Sequence, residues 1–572
     1  MLLQELCEYF KDQSSANQDS LPPPMYEKVR IKWLIDLDQK GNFKGLNPTT
    51  DPSAPAEKKD RGKEFQAPHV QRTSGVKAKL LADTAPYVLG IPKEKQKPEH
   101  AAKCHESFVA EVKKCAESTK NDQMPAVLKF LVSLENLTPE QIKSKLQLPG
   151  DFVPDDVMTF RIDGVLPIDL DEIKKYWAKS KATEKASVHS MSCIVCGETC
   201  NPQKRIEFKI KGIPGGQTSG VAIISANQKA FESYGLEESL IAPTCQNCSE
   251  KFSKALNELI KDESSHLKIG SLVYVFWTKH KSEFNYKRLL DDPQPEEVKS
   301  LLESTRKGKM PTELPSNQFY ATALSASGGR LVVRDWLDTT VDEAQRSLSH
   351  YFALQKIAGD DEHPLKLAAL AGATVREFKD LNPNTPKVLI RTAFHQSPLP
   401  KWLLYKVIQR IKAEHGVKRP QAALIKMVLL SNQPNQKQEK EGYMVTLEKE
   451  NKDPAYLCGR LFAVLEDIQR KAIPGAGSTI TDRFFGTASS APASVFGSLL
   501  RHAQNHLGKL RKEKQAAYFA LEKRMEEILS GLPAFPKTLS LEKQGLFNLG
   551  YYHQRAATRE AIAKKLEKEN EE

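Results

Sequence analysis

The sequence has no apolar run of the roughly 18 residues that a membrane-spanning helix requires. Its opening string, MLLQELCEYF, carries no basic stretch ahead of the apolar residues, so it does not match a secretory signal. Nine cysteines are an odd number in a long chain, which argues against a disulfide framework and favours metal binding or free thiols. We therefore expect a cytoplasmic protein without a membrane partner.

Motifs that mark common enzyme classes are also missing. The sequence contains no H-E-x-x-H motif, no nucleophile elbow and no convincing pair of catalytic carboxylates. Zinc deaminases have a proline before their C-x-x-C pair, whereas Ser192 and Thr244 precede the two such pairs of this chain. These absences predict that the protein is not an enzyme. A zinc-dependent nuclease is the alternative, and it would need an open metal site.

The chain does contain an excess of positive charge. Its 572 residues include 84 Lys and Arg against 72 Asp and Glu, a formal net charge of +12. This excess favours polyanionic partners such as nucleic acid, and ordinary solubility is the plainer alternative. With 40% hydrophobic and 27% charged residues, the composition is typical of a soluble globular protein that has more than one core.

The apolar pattern predicts an α+β protein of several domains, in which a mixed N-terminal body with a four-cysteine zinc-binding insertion precedes an all-α bundle. Residues 272–277, 319–324 and 330–336 have the composition of strands, and the last two favour a hairpin. Beyond 442, leucines recur at helical spacing. We predict four segments: an N-terminal α+β domain with a basic loop at 1–189, a zinc-knuckle and glycine-rich segment at 190–250, an α+β to helical region at 251–430, and a helical bundle at 442–572.

Two C-x-x-C pairs lie in the second segment. Cys193 and Cys196 form the first pair, and Cys245 and Cys248 form the second, so that together they offer four thiolates for a tetrahedral Zn²⁺. A site with four protein ligands has no open position at which to activate water, so we expect a structural zinc. Reduced thiols in a core are the alternative, and Cys200 is a substitute ligand with less regular spacing.

Two basic polar segments are candidates for contacts with duplex DNA. Lysines suit phosphates, whereas Arg72 and Gln217 carry groups that can read base edges. A flexible turn is the alternative for the second, glycine-rich segment. We expect the aromatic residues that follow it, Phe231 and Tyr234, to pack rather than to stack on bases. The candidate contacts are Arg72, Thr73, Ser74, Lys77 and Lys79 in the first segment, and Lys209, Lys211, Gln217, Thr218 and Ser219 in the second.

A third basic group lies in the predicted bundle. It lies on one predicted helix. A helix with basic side chains can bind the phosphates of single-stranded DNA, and a solvated helix face is the alternative. On the same and the next helix we expect four apolar residues in the core, Leu507, Leu510, Leu521 and Met525. We expect His553 to be packed. The candidate contacts with a single strand are Arg501, Lys509, Arg511 and Lys512.

Several strings in this sequence resemble the large-subunit family of the type I-C CRISPR interference complex (Cascade). They occur in order along nearly the whole chain, and the longest are C-terminal. The strings are RTSG at 72–75 with LLADTAPYVLG at 80–90, GIPGGQTSG at 212–220 with AFESYG at 230–235, VFW at 275–277, the region 319–336, PAYLCGRLFAVLEDIQ at 454–469, DRFFG at 482–486 and GLFNLGYYHQ at 545–554.

The resemblance implies a subunit of a cytoplasmic antiviral complex built around a CRISPR RNA. It implies that the chain recognises the protospacer-adjacent motif in duplex DNA, supports R-loop formation and handles the displaced strand. The implied partners are the backbone, RNA-processing and small subunits and the helicase–nuclease. The C-terminal helices resemble the small subunit of related complexes. Met427 or Met444 is a candidate internal start for a separate copy, and ordinary core methionines are the alternative. The rival to this role, besides a nuclease, is a zinc-ribbon scaffold that binds only protein partners.

Overall fold

The computed structural model describes residues 1–16, 21–51, 60–72, 75–183, 190–282, 284–306, 316–359, 363–432 and 444–571. The chain forms two compact units. Unit 1 comprises residues 1–212, 216–258 and 326–331, and unit 2 comprises residues 213–215, 259–325 and 332–572. Strands and helices are mixed in the first part of the chain and helices alone make up its C-terminal part, which confirms the predicted fold class. The finer division into four segments stays a prediction.

Unit 1 contains the first eight strands and the first six helices of the chain, together with most of the seventh helix. Short 3₁₀ turns connect some of them. In chain order they are α1 (Leu2–Ala16), β1 (Tyr26–Ile31), β2 (Trp33–Leu37), β3 (Phe43–Pro48), β4 (Lys63–Pro68), β5 (Ala82–Thr84), α2 (Ala85–Val88), α3 (Pro98–Thr119), α4 (Met124–Val132), α5 (Pro139–Leu146), β6 (Val157–Ile162), α6 (Asp171–Thr183), β7 (Met191–Ser192), β8 (Thr199–Cys200) and α7 (Gln246–Lys261), the last of which continues beyond the unit.

A four-stranded sheet in the order β3-β2-β6-β5 supports the core of unit 1. β2 and β6 are parallel, and the other two pairs are antiparallel. Strand β2 lies inside the sheet, so four of its five side chains are buried. The core around it contains the buried aromatic residues Trp33, Phe108, Phe130, Phe160 and Trp177. β1 instead pairs with β4 in a two-stranded sheet.

Unit 2 contains the remaining elements, except for the hairpin tip at 326–331. They are β9 (His266–Ile269), β10 (Leu272–Thr278), α8 (Tyr286–Asp291), α9 (Pro295–Arg306), β11 (Gln318–Ser327), β12 (Arg330–Thr340), α10 (Val341–Gln355), α11 (Leu367–Gly372), α12 (Asn384–His395), α13 (Lys401–Glu414), α14 (Arg419–Ser431), α15 (Pro454–Ala472), α16 (Ile480–Ala488), α17 (Phe496–Glu513), α18 (Gln515–Ser530) and α19 (Leu541–Glu571). The strands form one sheet in the order β12-β11-β10-β9, which includes the predicted hairpin.

Helices α15 and α19 make the closest helix contact in the C-terminal part of unit 2. Gly459 and Gly550 permit it, since a Cβ on Gly459 would lie 1.9 Å from the carbonyl oxygen of Phe547 and one on Gly550 would lie 2.1 Å from that of Tyr456. The hydroxyl of Tyr456 and Nδ1 of His553 are 2.9 Å apart in the same interface. His553 is buried, as predicted.

The predicted core residues of the bundle are also buried, namely Leu507, Leu510, Leu521 and Met525. Both candidate internal starts lie in the core, and Met427 and Met444 are 0% and 3% exposed. Met427 lies within α14, whereas Met444 precedes α15. An internal start at Met444 would therefore leave α15 to α19 intact.

Candidate metal centre and nucleic-acid interface

The two cysteine pairs meet in unit 1. The first pair follows β7, which forms a short antiparallel hairpin with β8, and the second pair spans the start of α7. The Sγ atoms of Cys193, Cys196, Cys245 and Cys248 all lie within 4.8 Å of one another. Cys200, the other candidate ligand, pairs with Met191 at the far end of the hairpin and does not belong to this group.

The four sulfur atoms lie close enough together to bind one metal ion. Zinc–sulfur bonds of about 2.3 Å place the sulfurs of a tetrahedral site about 3.8 Å apart. The Sγ atoms of Cys196 and Cys245 are separated by 4.0 Å. The donor set therefore fits a soft divalent ion, and four cysteine ligands leave it no open position.

The local backbone already favours one thiolate. Burial raises the pKa of Cys193, but backbone N–H groups, among them that of Cys245 at 3.4 Å, donate to its sulfur and lower the pKa to about 7. Burial raises the pKa of Cys245 to about 11 and that of Cys248 further. A metal ion that binds all four sulfurs therefore displaces protons, so its affinity rises with pH.

Helix α1 contacts both cysteine pairs. Nε2 of Gln4 donates to the carbonyl of Val195, between the first two cysteines, at 3.1 Å. The thiol of Cys7 donates to the carbonyl of Cys248 at 3.5 Å. The sequence carries no signal for this relationship, because α1 lies far from the cysteine pairs in the chain and shows only an amphipathic pattern.

The first basic segment is held in place by acidic residues. The guanidinium of Arg72 makes a bidentate ion pair with the buried carboxylate of Asp83 and lies 3.9 Å from the ring centre of Tyr87. These contacts order the segment around Arg72, and a contact of Arg72 with a base stays a prediction. Lys77 is exposed. Thr73 and Ser74 lie outside the described residues.

Glu27 connects the two basic segments. Its carboxylate accepts from Nζ of Lys79 at 2.8 Å and from Nζ of Lys211 at 3.4 Å, and Nδ1 of His69 lies 3.0 Å away. Burial alone would raise the pKa of Glu27, but these three partners hold it well below its usual range. The structure thus brings together residues of both predicted sets, and sequence spacing gave no signal for Glu27.

The glycine-rich loop is closed at its base and open at its end. Asn257 of α7 clamps the base: its side chain donates to the carbonyl of Lys209 at 2.9 Å and accepts from the backbone N–H of Lys211 at 2.8 Å. Ile210 and Val221 form a β-bridge across the loop. Lys209 is half-buried. The exposed candidates at the end of the loop are Gln217, Thr218 and Ser219.

The tip of the β11–β12 hairpin, residues 326–331, packs beside this loop within unit 1. The N–H of Ala222 donates to the carbonyl of Gly329 at 2.9 Å, and a Cβ on Gly329 would lie 3.4 Å from the side chain of Gln217. The guanidinium of Arg330 lies 3.7 Å from the ring centre of Phe231. Phe231 is still 38% exposed beside this guanidinium, and Tyr234 is 99% exposed, so the prediction that both aromatic residues pack is wrong for Tyr234.

The third candidate group lies on α17 in unit 2. One ion pair links this group along the helix, between Nζ of Lys509 and the carboxylate of Glu513 at 3.9 Å. The exposed cations of the group are Arg501, Lys509, Arg511 and Lys512. Their position fits both a contact with single-stranded DNA and a solvated face.

Comparison with models of known protein families identifies the chain's family. A family model described as CRISPR-associated protein (Cas_Csd1) matches residues 6–559, nearly the whole chain. No curated protein matches it significantly. Among the helices of the described ranges, none has both the length and the apolar character needed to cross a membrane.

Proposed function

The chain belongs to the Cas_Csd1 family of CRISPR-associated proteins, and on this premise we propose that it is the large subunit of a type I-C interference complex. In that role it recognises the protospacer-adjacent motif in duplex DNA, supports R-loop formation and helps to recruit the helicase–nuclease. Its partners are the CRISPR RNA and the backbone, RNA-processing and small subunits. It contacts both the duplex and the displaced single strand.

The observation that carries this proposal is the cluster around Glu27 and the exposed loop beside it. In RNA-guided recognition, base pairing reads the long target, and the protein needs phosphate contacts and a few groups that reach base edges. Lys77 and Lys211 are exposed cations for phosphates, and Gln217 presents an amide for a base edge. Lys79 and Arg72 position these segments through their acidic partners.

The metal centre has a structural role in this proposal. Zn²⁺ bound by Cys193, Cys196, Cys245 and Cys248 would fasten the start of α7 to the hairpin of β7 and β8. The same helix supplies Asn257, which clamps the glycine-rich loop. The metal therefore supports the DNA-binding surface without taking part in chemistry, and the chain is not an enzyme. A nuclease or a scaffold that binds only proteins is the rival role.

The C-terminal helices serve the displaced strand in this proposal. The four exposed cations of α17 bind its phosphates, as expected for a basic helix. An internal start at Met444 would release α15 to α19 as a separate small subunit, and a start at Met427 would add the end of α14.

Binding of the reconstituted, RNA-loaded complex to a library of duplexes with a randomised motif tests this role. We expect the complex with this chain to select one motif, and the complex without it to lose that selection until the chain is added back. Equal selection in both cases would refute the proposal. Cleavage of DNA by the purified chain with Mg²⁺ alone would favour the nuclease instead.

A further inference from the structure

An apolar groove lies along one side of α3 in unit 1, and its volume is about 730 Å³. One wall is α3 from Pro98 to Ala110, and the other is the segment from Leu134 to Ile142, which includes the start of α5. Because a helix rises about 1.5 Å per residue, the α3 wall is about 18 Å long, enough for about three turns of a second helix. The large apolar side chains that line the groove are Leu89, Val109, Leu134, Leu137 and Ile142.

The carboxylates that line this groove are not balanced by any lysine or arginine in its lining. They belong to Glu99 and Glu106 of α3 and to Glu135, which follows α4, and all three residues are exposed. None of them forms an ion pair with a residue that the structure describes. The whole chain has a net charge of +12, so this acidic groove is a local exception. It attracts cationic groups and repels phosphates.

His105 also lines the groove, but it adds no positive charge. Its Nδ1 lies 3.0 Å from the carbonyl oxygen of Tyr87. A carbonyl oxygen can only accept a hydrogen bond, so Nδ1 carries the proton and donates it. Burial lowers the pKa of His105, so the ring is neutral at neutral pH. The groove therefore keeps the negative charge of its three glutamates.

We propose that this groove binds a basic amphipathic helix of another protein subunit; this rests on the proposed function, which places the chain in a complex of several subunits. The apolar stripe of that helix fills the groove, as in other complexes in which a helix lies in a hydrophobic groove. Lysine or arginine residues beside the stripe pair with Glu99, Glu106 and Glu135, and this charge complementarity fixes the orientation of the helix. Nucleic acid does not fit, because its phosphates would meet three carboxylates and no cation.

Photo-crosslinking in the reconstituted, RNA-loaded complex tests this proposal. The photoreactive residue benzoylphenylalanine replaces Ala102, an exposed residue of the groove lining, in the full chain. We expect illumination to join it to another protein subunit, and mass spectrometry to place the attachment in a helix whose apolar stripe is flanked by lysine or arginine. The same replacement at Ser118, which is exposed on α3 beyond the groove, is the control and should not label that helix. Attachment to RNA or DNA, to a second copy of this chain or to an acidic segment would overturn the proposal.

Charge reversal in the groove tests the chemistry of the partner. Glu106→Lys combined with Glu135→Lys should lower the crosslink yield from position 102 by about 10-fold or more, because like charges then face each other. Glu117→Lys with Asp151→Lys is the matched control, since both residues are exposed in unit 1 outside the groove lining and the change in charge is the same. The control should change the yield by less than about 2-fold. Equal losses for the two pairs would overturn the proposal.

The outcomes distinguish this proposal from the proposed function. If the complex selects its motif but position 102 gives no crosslink to another protein subunit, the groove has no such occupant and the proposed function stands. If the complex selects no motif but position 102 still labels a basic helix, the proposed function is refuted and the groove assignment stands.

Discussion

Lys79 and Lys211 reach opposite oxygens of the Glu27 carboxylate, at 2.8 and 3.4 Å. They come from two segments that are far apart in the sequence, and each segment is a candidate for DNA contacts. Their exposure differs: 18% of the Lys79 side chain is accessible against 63% of that of Lys211. Lys79 is therefore fixed by its partner, whereas Lys211 can exchange Glu27 for a phosphate.

Glu27→Gln should lower the free energy of unfolding by about 1–3 kcal/mol at neutral pH, because it leaves partly buried cations without their counter-charge. The pKa of Glu27 is lower in the folded than in the unfolded chain. The contribution of Glu27 to the free energy of unfolding is therefore complete above roughly pH 5 and declines as the pH falls below about 5. Urea unfolding of both proteins at a series of pH values would measure this. A difference that grows as the pH falls would contradict the assignment.

Lys77→Ala and Lys79→Ala form a matched pair. Lys77 is exposed, and we expect its loss to weaken all duplex targets alike and to reduce the slope of log K against log salt by about 0.9, the value for one phosphate contact. Lys79→Ala should leave that slope unchanged and lower stability instead, because its charge is used by Glu27. Filter-binding titrations with the RNA-loaded complex at several salt concentrations would show the difference. Equal slopes for the two variants would rule out a phosphate contact by Lys77.

Removal of one cysteine ligand should release the metal. We expect Cys245→Ser to lose one equivalent of zinc and to lower the unfolding midpoint of the full chain, since metal binding is coupled to folding. Cys200→Ser is the control. It should keep the bound zinc and the unfolding midpoint of the unsubstituted chain, because Cys200 lies outside the group of four. Zinc content by plasma emission spectrometry and thermal unfolding with and without a chelator provide the readouts. Full zinc content in Cys245→Ser would refute the site.

Two glycine substitutions in unit 2 should have opposite effects on stability, because only one of the two glycines lies in the contact between α15 and α19. A Cβ on Gly550 would lie 2.1 Å from the carbonyl oxygen of Tyr456, so Gly550→Ala should destabilise the chain by about 3 kcal/mol or more. Gly508 of α17 has nothing within 4 Å of the corresponding position, and Gly508→Ala should stabilise it by about 0.5–1 kcal/mol. Chemical unfolding would measure both. Similar effects at the two sites would argue against the close approach of the helices.

The sequence predicted features that depend on local pattern. The strands predicted at 319–324 and 330–336, the buried leucines of α17 and the four-cysteine group are all found in the structure. Each follows from residue composition, periodicity or fixed ligand spacing, which the order of residues records directly.

The contacts that depend on the tertiary fold could not be predicted in this way. In the sequence, nothing distinguishes Glu27 from other polar strand residues or Asn257 from other polar helix residues. Only the tertiary fold places them in contact with the basic segments. Arg72 has the chemistry of a base reader, but the structure gives its guanidinium to Asp83. Tyr234 was expected to pack because most tyrosines do, and its turn geometry became visible only in the backbone angles.

The central claim is that the surface of unit 1 organised by Glu27 binds the target duplex, and charge reversal tests it most directly. The measurement is the affinity of the RNA-loaded complex for a duplex with the selected motif, with Lys77→Glu and Lys211→Glu combined in the full chain. Lys114→Glu with Lys143→Glu is the control, since both residues are exposed in unit 1 outside the two segments and the change in charge is the same. We predict a loss of about 100-fold or more for the first pair and a change below about 3-fold for the second, based on the loss of two phosphate contacts. Equal losses for the two pairs would contradict the account.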